Sequence, residues 1–122
     1  MPDVQKILIV DDEDTLRTLV RAELEERGFY VDEAAGGDEA LEKMKDTRYT
    51  LIILDIKMPG TDGLEVLRLI REQNLADKVI MLTGVNELKI ARDTLQLGAN
   101  DFLTKPYEFK TLLACMERVI KE

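Results

Sequence analysis

The sequence predicts an α/β domain: an open, doubly wound sheet of five parallel strands with helices on both faces. Three observations lead there. Ile7–Val10, Leu51–Leu54 and Val79–Leu82 are short runs that are apolar at every position, the pattern of strands covered on both faces. Stretches with helical spacing separate the runs, so strand and helix alternate five times, as right-handed parallel crossovers require. The chain has 122 residues, 45% hydrophobic and 34% charged, which is enough for one domain with a real core, spanning 1–122, and leaves no room for a second.

In chain order, the first strand is Ile7–Val10. A helix follows on the stripe Leu16, Leu19, Val20 and Leu24, with Asp14 as its cap and Gly28 where it stops. Tyr30–Ala34 carries polar residues and reads as an edge strand, and Ala40, Leu41 and Met44 mark a short helix opened by Gly36-Gly37-Asp38. The central strand Leu51–Leu54 leads through the turn Pro59-Gly60-Thr61-Asp62-Gly63 to a helix on Leu64, Leu67 and Ile70. Strand Val79–Leu82 precedes a helix on Leu88, Ala91 and Leu95, with Asn86 as N-cap and Gly98 past its end. The second edge strand is Asp101–Thr104, and Leu112, Leu113, Met116, Val119 and Ile120 mark the last helix. With both polar strands at the edges, the order is 2-1-3-4-5, that of the flavodoxin-like (βα)5 fold. Ligands of such sheets bind beyond the carboxyl ends of the strands, where strands one and three meet.

Composition narrows the chemistry. Seventeen Lys and Arg against 25 Asp and Glu give a net charge of −8, which repels nucleic-acid phosphates and argues against direct nucleic-acid binding. With no His, the chain can build no His-dependent nucleophile, His metal ligand or phospho-histidine of its own. A single Cys, Cys115, forms no internal disulfide or cysteine zinc cluster and fits a reducing cytoplasm. It is expected to be a packing or surface residue without an activated thiol. No apolar run approaches a membrane span or a signal peptide.

The remaining chemistry must use carboxylates, hydroxyls and lysines, and these gather at the strand ends. Asp11 and Asp12 follow the first strand, Asp55 the third, Thr83 closes the fourth and Lys105 follows the fifth. Singly, each has an ordinary role: Asp at a strand-to-helix junction caps a helix, Thr83 forms a turn, and Lys105 before Pro106 is a solvated loop lysine. Together they bring three carboxylates, a hydroxyl and an ammonium to one edge of the sheet. Crowded carboxylates repel, and a hard divalent cation relieves them. Mg²⁺ suits the site because it takes one or two carboxylates and keeps several waters. Such a metal with Thr and Lys donors describes a phosphoryl site in which Asp55 is the nucleophile.

The pieces Val10-Asp11-Asp12-Glu13, Asp55-Ile56-Lys57-Met58-Pro59-Gly60-Thr61-Asp62-Gly63, Leu82-Thr83-Gly84 and Lys105-Pro106 occur in an order and spacing that resemble the response-regulator receiver domains of bacterial two-component signalling. The resemblance runs from Ile7 to Ile120. It implies that Asp55 accepts a phosphoryl group from the phospho-histidine of a sensor kinase or a phosphotransfer protein. It further implies Mg²⁺ held directly by Asp12, mostly through water by Asp11, and by Asp55 and the Lys57 backbone carbonyl. Thr83 and the Gly84 amide would bind phosphoryl oxygens, Lys105 would pair with another, and the bond before Pro106 would be cis. Thr83 and the aromatic Phe102 would form the switch, shifting the face made by the fourth helix, fifth strand and fifth helix. That face would serve a downstream output domain or protein, or a phosphorylation-dependent dimer. Lys57 and Val85, two positions after Asp55 and Thr83, would tune the lifetime, here toward slow self-dephosphorylation.

Several features sit beside this reading. Thr61 stands where the family usually has an apolar residue. Phe102 is equally a core phenylalanine, and Tyr107 and Phe109 either meet the kinase at the rim or pack under the last helix. A chain that catalyses only its own phosphorylation and dephosphorylation is not an enzyme in the ordinary sense. One alternative is a haloacid-dehalogenase-type phosphatase, since Asp12-Glu13-Asp14-Thr15-Leu16 superficially resembles that family's first motif, although it is one residue short between the second Asp and the Thr. A flavin-binding flavodoxin-type module is another, but its phosphate-cradling first loop would not be Asp11-Asp12-Glu13-Asp14. The chain stops at the fifth helix without a linker, which fits either a single-domain relay protein or the amino-terminal piece of a longer regulator.

Overall fold

The computed structural model describes residues 4–122 and, for Val85, the backbone alone. Residues 1–3 of the expected domain lie outside the described residues. The elements are β1 (Lys6–Val10), α1 (Asp14–Glu26), β2 (Tyr30–Ala34), α2 (Gly37–Asp46), β3 (Tyr49–Asp55), α3 (Gly63–Gln73), β4 (Ala76–Gly84), α4 (Leu88–Gln96), β5 (Asp101–Lys105) and α5 (Phe109–Lys121), with a 3₁₀ turn at Val85–Glu87 between β4 and α4. The strands form one parallel sheet of order β2-β1-β3-β4-β5, so the expected fold class and strand order hold. The two strands that carry polar residues are the edges, where one side of each is free of the ladder.

Side chains alternate along each strand, and the apolar runs therefore feed two cores. Leu8, Val10, Ile52, Leu54, Val79 and Met81 pack on one face with residues of α2 and α3. Ile7, Ile9, Leu51, Ile53, Ile80 and Leu82 pack on the other with residues of α1 and α5. All twelve of these strand side chains are fully buried. Burying a side chain of this size is worth about 1.5–3 kcal/mol, so the central strands are held from both sides.

Two helix stripes differ from expectation. In α1 the buried residues are Val20 and Leu24, while Leu19 is 56% exposed. At 100° per residue, Leu19 falls at the margin of the line through Leu16, Val20 and Leu24. In α4 the helix meets the sheet through Ala91 and Thr94, whose hydroxyl donates to the Ala91 carbonyl. Leu88 and Leu95 flank that face on one side and are exposed.

The expected caps also differ. Asn86 lies inside the 3₁₀ turn, and α4 begins at Leu88 after Glu87 without a side-chain cap. Asp14 is already the first residue of α1 and spends its carboxylate on Arg17, 2.8 Å away. The Glu13 amide donates instead to Asp11 Oδ1 at 2.9 Å.

The turn from β3 into α3 is set by Gly63. A Cβ there would stand 2.2 Å from the Asp55 carbonyl oxygen and 2.8 Å from Ile56 Cα. Its amide donates to the Ile56 carbonyl at 2.9 Å, so the start of α3 is pressed against the end of the central strand. Gly63→Ala should overpack this junction and cost about 1–3 kcal/mol, read as a lower urea midpoint at unchanged slope. An unshifted midpoint would show that the junction relaxes freely.

Candidate functional site at the carboxyl edge of the sheet

The parallel register brings the strand ends level. Val10 pairs with Leu54, Asp55 with Leu82, and Gly84 with Lys105. Asp11 and Asp12 leave β1 beside Asp55, and Asp11, Asp12 and Asp55 each offer a carboxylate oxygen within 4.8 Å of the others. Asp11 is fully buried, Asp55 is 6% exposed, and Asp12 faces solvent. The Lys105 ammonium reaches into this group, 2.8 Å from Asp11 Oδ2, 3.0 Å from Asp55 Oδ2 and 3.0 Å from Glu13 Oε1. The Lys105–Pro106 peptide bond is cis.

Charge follows from this geometry. Burial pushes the Asp55 carboxyl up to about 6; Lys105 opposes the rise, and the charges of Asp11 and Asp12 add to it. For Lys105, burial works to lower the ammonium, but the Asp11, Asp55 and Glu13 carboxylates around it prevail and hold it above the usual lysine range. One ammonium thus serves three carboxylates, with Asp12 beside them. Asp11 Oδ2, though close to Lys105, accepts no well-aligned hydrogen bond. A set of hard oxygen donors with one of them unsatisfied fits a hard divalent cation, so Asp11, Asp12 and Asp55 are residues that could hold Mg²⁺.

Thr83 is buried and donates only long hydrogen bonds, 3.3 Å to the Gly84 carbonyl and 3.5 Å to that of Glu87. Phe102 pairs in register with Met81, two residues before Thr83, so by strand alternation Phe102 and Thr83 lie on the same face of the sheet. The Phe102 ring is half-buried against the core under α2 and α3. Lys57 is 73% exposed with its ammonium 3.8 Å from Glu87 Oε1. The Val85 side chain lies outside the described residues.

Tyr107 and Phe109 both pack, half-buried, against the core under α1 and α5. Cys115 belongs to the same core, where burial raises its thiol to about 11. Thr61 Oγ1 donates to Asp38 Oδ1 at 2.5 Å, which ties the β3–α3 loop to the start of α2. The polar residue in an ordinarily apolar position thus has its own partner.

Three side chains at the site, Arg17, Glu33 and Glu87, were not singled out from the sequence, and a fourth, Glu13, stood there only as part of a motif. Glu13 shares Lys105. Arg17, 12% exposed, donates to the Asp11 carbonyl at 2.6 Å and to Glu33 at 2.8 Å. Glu33 in turn accepts from Arg21 at 3.0 Å. Glu87 borders the cleft from the β4 side. Glu13 and Glu33 stand at strand mouths, as the chosen residues do, and were legible on that rule. Arg17 and Glu87 are brought in by helix and turn geometry.

The raised Asp55 value fixes a pH dependence. Between 3.8 and about 6 the folded chain keeps a proton on Asp55 that the unfolded chain has released. The stability from this group is full at low pH and is lost as pH rises through that window. In EDTA, Asp55→Asn should therefore gain on the wild type by about 2 kcal/mol from pH 4 to pH 7, and Mg²⁺ should narrow the gap. A wild-type to variant difference in melting that stays flat with pH would contradict the site electrostatics.

The model for the response regulator receiver domain matches residues 7–117. The transcriptional regulatory protein ResD of Bacillus subtilis is 40% identical over 116 residues, covering 95% of this chain and 48% of ResD. PhoP, the alkaline phosphatase synthesis regulator of the same organism, is 38% identical over 117 residues, covering 96% and 49%. The chain thus spans about half the length of these relatives. Among solved structures, the chemotaxis protein CheY4 of Vibrio cholerae superposes with a TM-score of 0.88 at 34% identity, covering 96% of this chain and 99% of that one. These matches give the phosphatase alternative no support. With the strand-end carboxylates, threonine and lysine in their places, the chain belongs to the family of response-regulator receiver domains of two-component signalling.

Proposed function

We propose that the chain is a phosphorylation-controlled switch in which Asp55 takes a phosphoryl group from the phospho-histidine of a sensor kinase or phosphotransfer protein. The observation that carries this reading is the Asp55 carboxylate at the end of the central strand, bonded to Lys105 and crowded by Asp11 and Asp12. An Asp55 oxygen attacks phosphorus, the phosphorus–nitrogen bond of the donor breaks, and the imidazole leaves with that electron pair. Lys105 keeps Asp55 ionised for the attack and then pairs with a phosphoryl oxygen. Asp11, Asp12, Asp55 and the Lys57 backbone carbonyl would hold Mg²⁺, which would supply positive charge against the transferring group. Thr83 gives up its two long bonds and donates to a phosphoryl oxygen beside the Gly84 amide, and Phe102 fills the space behind it. The change reaches the face of α4, β5 and α5, where an output domain, a partner protein or a second copy binds.

No helix among the described residues is long and apolar enough to cross a membrane, which accords with work in the cytoplasm, and the net charge of −8 accords with an output that does not pass through nucleic-acid binding by this domain. Acetyl phosphate with Mg²⁺ should label the wild type and leave Asp55→Asn unlabelled; label on the variant would reject Asp55 as acceptor. In the same preparations Mg²⁺ should raise the melting temperature, and Asp12→Ala should remove most of that gain.

The phosphoryl group is expected to be long-lived. Lys57 stands beside the cleft as a charged side chain able to cover phosphoryl oxygens, and valine at position 85 has no group to orient a water. Lys57→Asn with Val85→Glu should speed phosphate loss by about tenfold, about 1.4 kcal/mol of barrier. Equal decay rates would show that neither position governs water access.

A further inference from the structure

Glu87 ends the 3₁₀ turn after β4, and its carboxylate folds back toward the cleft. The side chain is 17% exposed, and Oε2 is buried without a hydrogen-bond partner. Oε1 packs over Gly84, where a Cβ would stand 2.9 Å from it, so the absence of a side chain at Gly84 admits the carboxylate. Among the described residues the Lys57 ammonium, at 3.8 Å, is the cation within ion-pair distance of Glu87. The Glu87 carbonyl is also one of the two acceptors that hold the Thr83 hydroxyl.

A largely buried carboxylate with one orphan oxygen and one loosely held cation is poorly compensated. Its partner is long, mostly exposed and able to swing. We propose that Glu87 is a positioning residue for Lys57: it holds the ammonium on the β4 side of the cleft while Asp55 is free and releases it to the phosphoryl group when Asp55 is modified.

The inference rests on Asp55 being the acceptor. Transfer makes the Asp55 side of the cleft more negative by about one unit and adds acceptor oxygens, which draws the ammonium across. Glu87, left without a cation, then turns to water. Its movement loosens the 3₁₀ turn and the 3.5 Å bond that its carbonyl accepts from Thr83, freeing that hydroxyl for the phosphoryl oxygens. A single charge handover thereby couples the protection of the acyl phosphate to the release of Thr83.

Glu87→Gln keeps the shape over Gly84 and removes the competing charge, so Lys57 stays with the phosphoryl group and the acyl phosphate of the full chain should decay about threefold more slowly. Glu87→Asp, a shorter carboxylate, should fall between the variant and the wild type. In a Lys57→Met background the Gln substitution should have no further effect, an outcome that a purely structural role for Glu87 would not produce. An unchanged lifetime in Glu87→Gln, or the same slowing with and without Lys57, overturns the proposal while leaving Asp55 as acceptor. A wild-type chain that takes no label from acetyl phosphate overturns both.

Discussion

The Lys105 ammonium is the contact on which the site depends. It lies within 3.0 Å of Asp11, Glu13 and Asp55, and without it the carboxyl edge of the sheet would hold several carboxylates at close quarters with two of them buried. Repulsion of that kind is relieved by protonation, by a counter-ion or by unfolding. One lysine is too little to neutralise the group and enough to keep it folded, which leaves the edge poised to take up further positive charge. The site is thus a controlled deficit of cations at the mouth of a well-packed sheet.

That deficit is tolerable because the strands beneath it are covered on both faces. β1, β3 and β4 enter the edge from two separate cores, so the ends of these strands are fixed whatever the charge above them does. Arg17 and Glu33 extend the arrangement behind β1: the guanidinium ties down the Asp11 carbonyl, while Glu33 and Asp14 hold the guanidinium. Local order at the site is imposed from below and behind, and the open side faces the β3–α3 and β4–α4 loops.

Much of this was legible in the sequence. The three wholly apolar runs identify the inner strands because a strand buried twice has no polar side, and the polar content of Tyr30–Ala34 and Asp101–Thr104 marks the edges for the converse reason. Strand mouths then locate Asp11, Asp12, Asp55, Thr83 and Lys105 without knowledge of any contact. What periodicity misjudged are the residues at the margin of a stripe, Leu19, Leu88 and Leu95, because spacing fixes a helix face but not the angle at which it meets the sheet. Local rules also misplaced the caps at Asp14 and Asn86, where Arg17 and the 3₁₀ turn compete for the same groups. Glu87 was invisible for a different reason: its role comes from a turn that folds it back over a glycine, and no spacing records that.

The two loops that flank the cleft are anchored unequally. On one side, Thr61 is bonded to Asp38 and Gly63 is wedged against the Asp55 carbonyl, so the α3 end of the β3–α3 loop is clamped at two neighbouring points. On the other, α4 rests on the sheet through the buried Ala91 and Thr94 with Ile90 half-buried beside them, whereas α3 rests through the fully buried Val66, Leu67 and Ile70. The apolar area that would have to be exposed to tilt α4 is correspondingly small, and the work of tilting scales with that area. Strain introduced at the cleft will therefore be relieved mainly on the α4 side, as a hinged door moves and its frame does not. The seat of α4 is shallow, one alanine and one threonine with the half-buried Ile90 beside them.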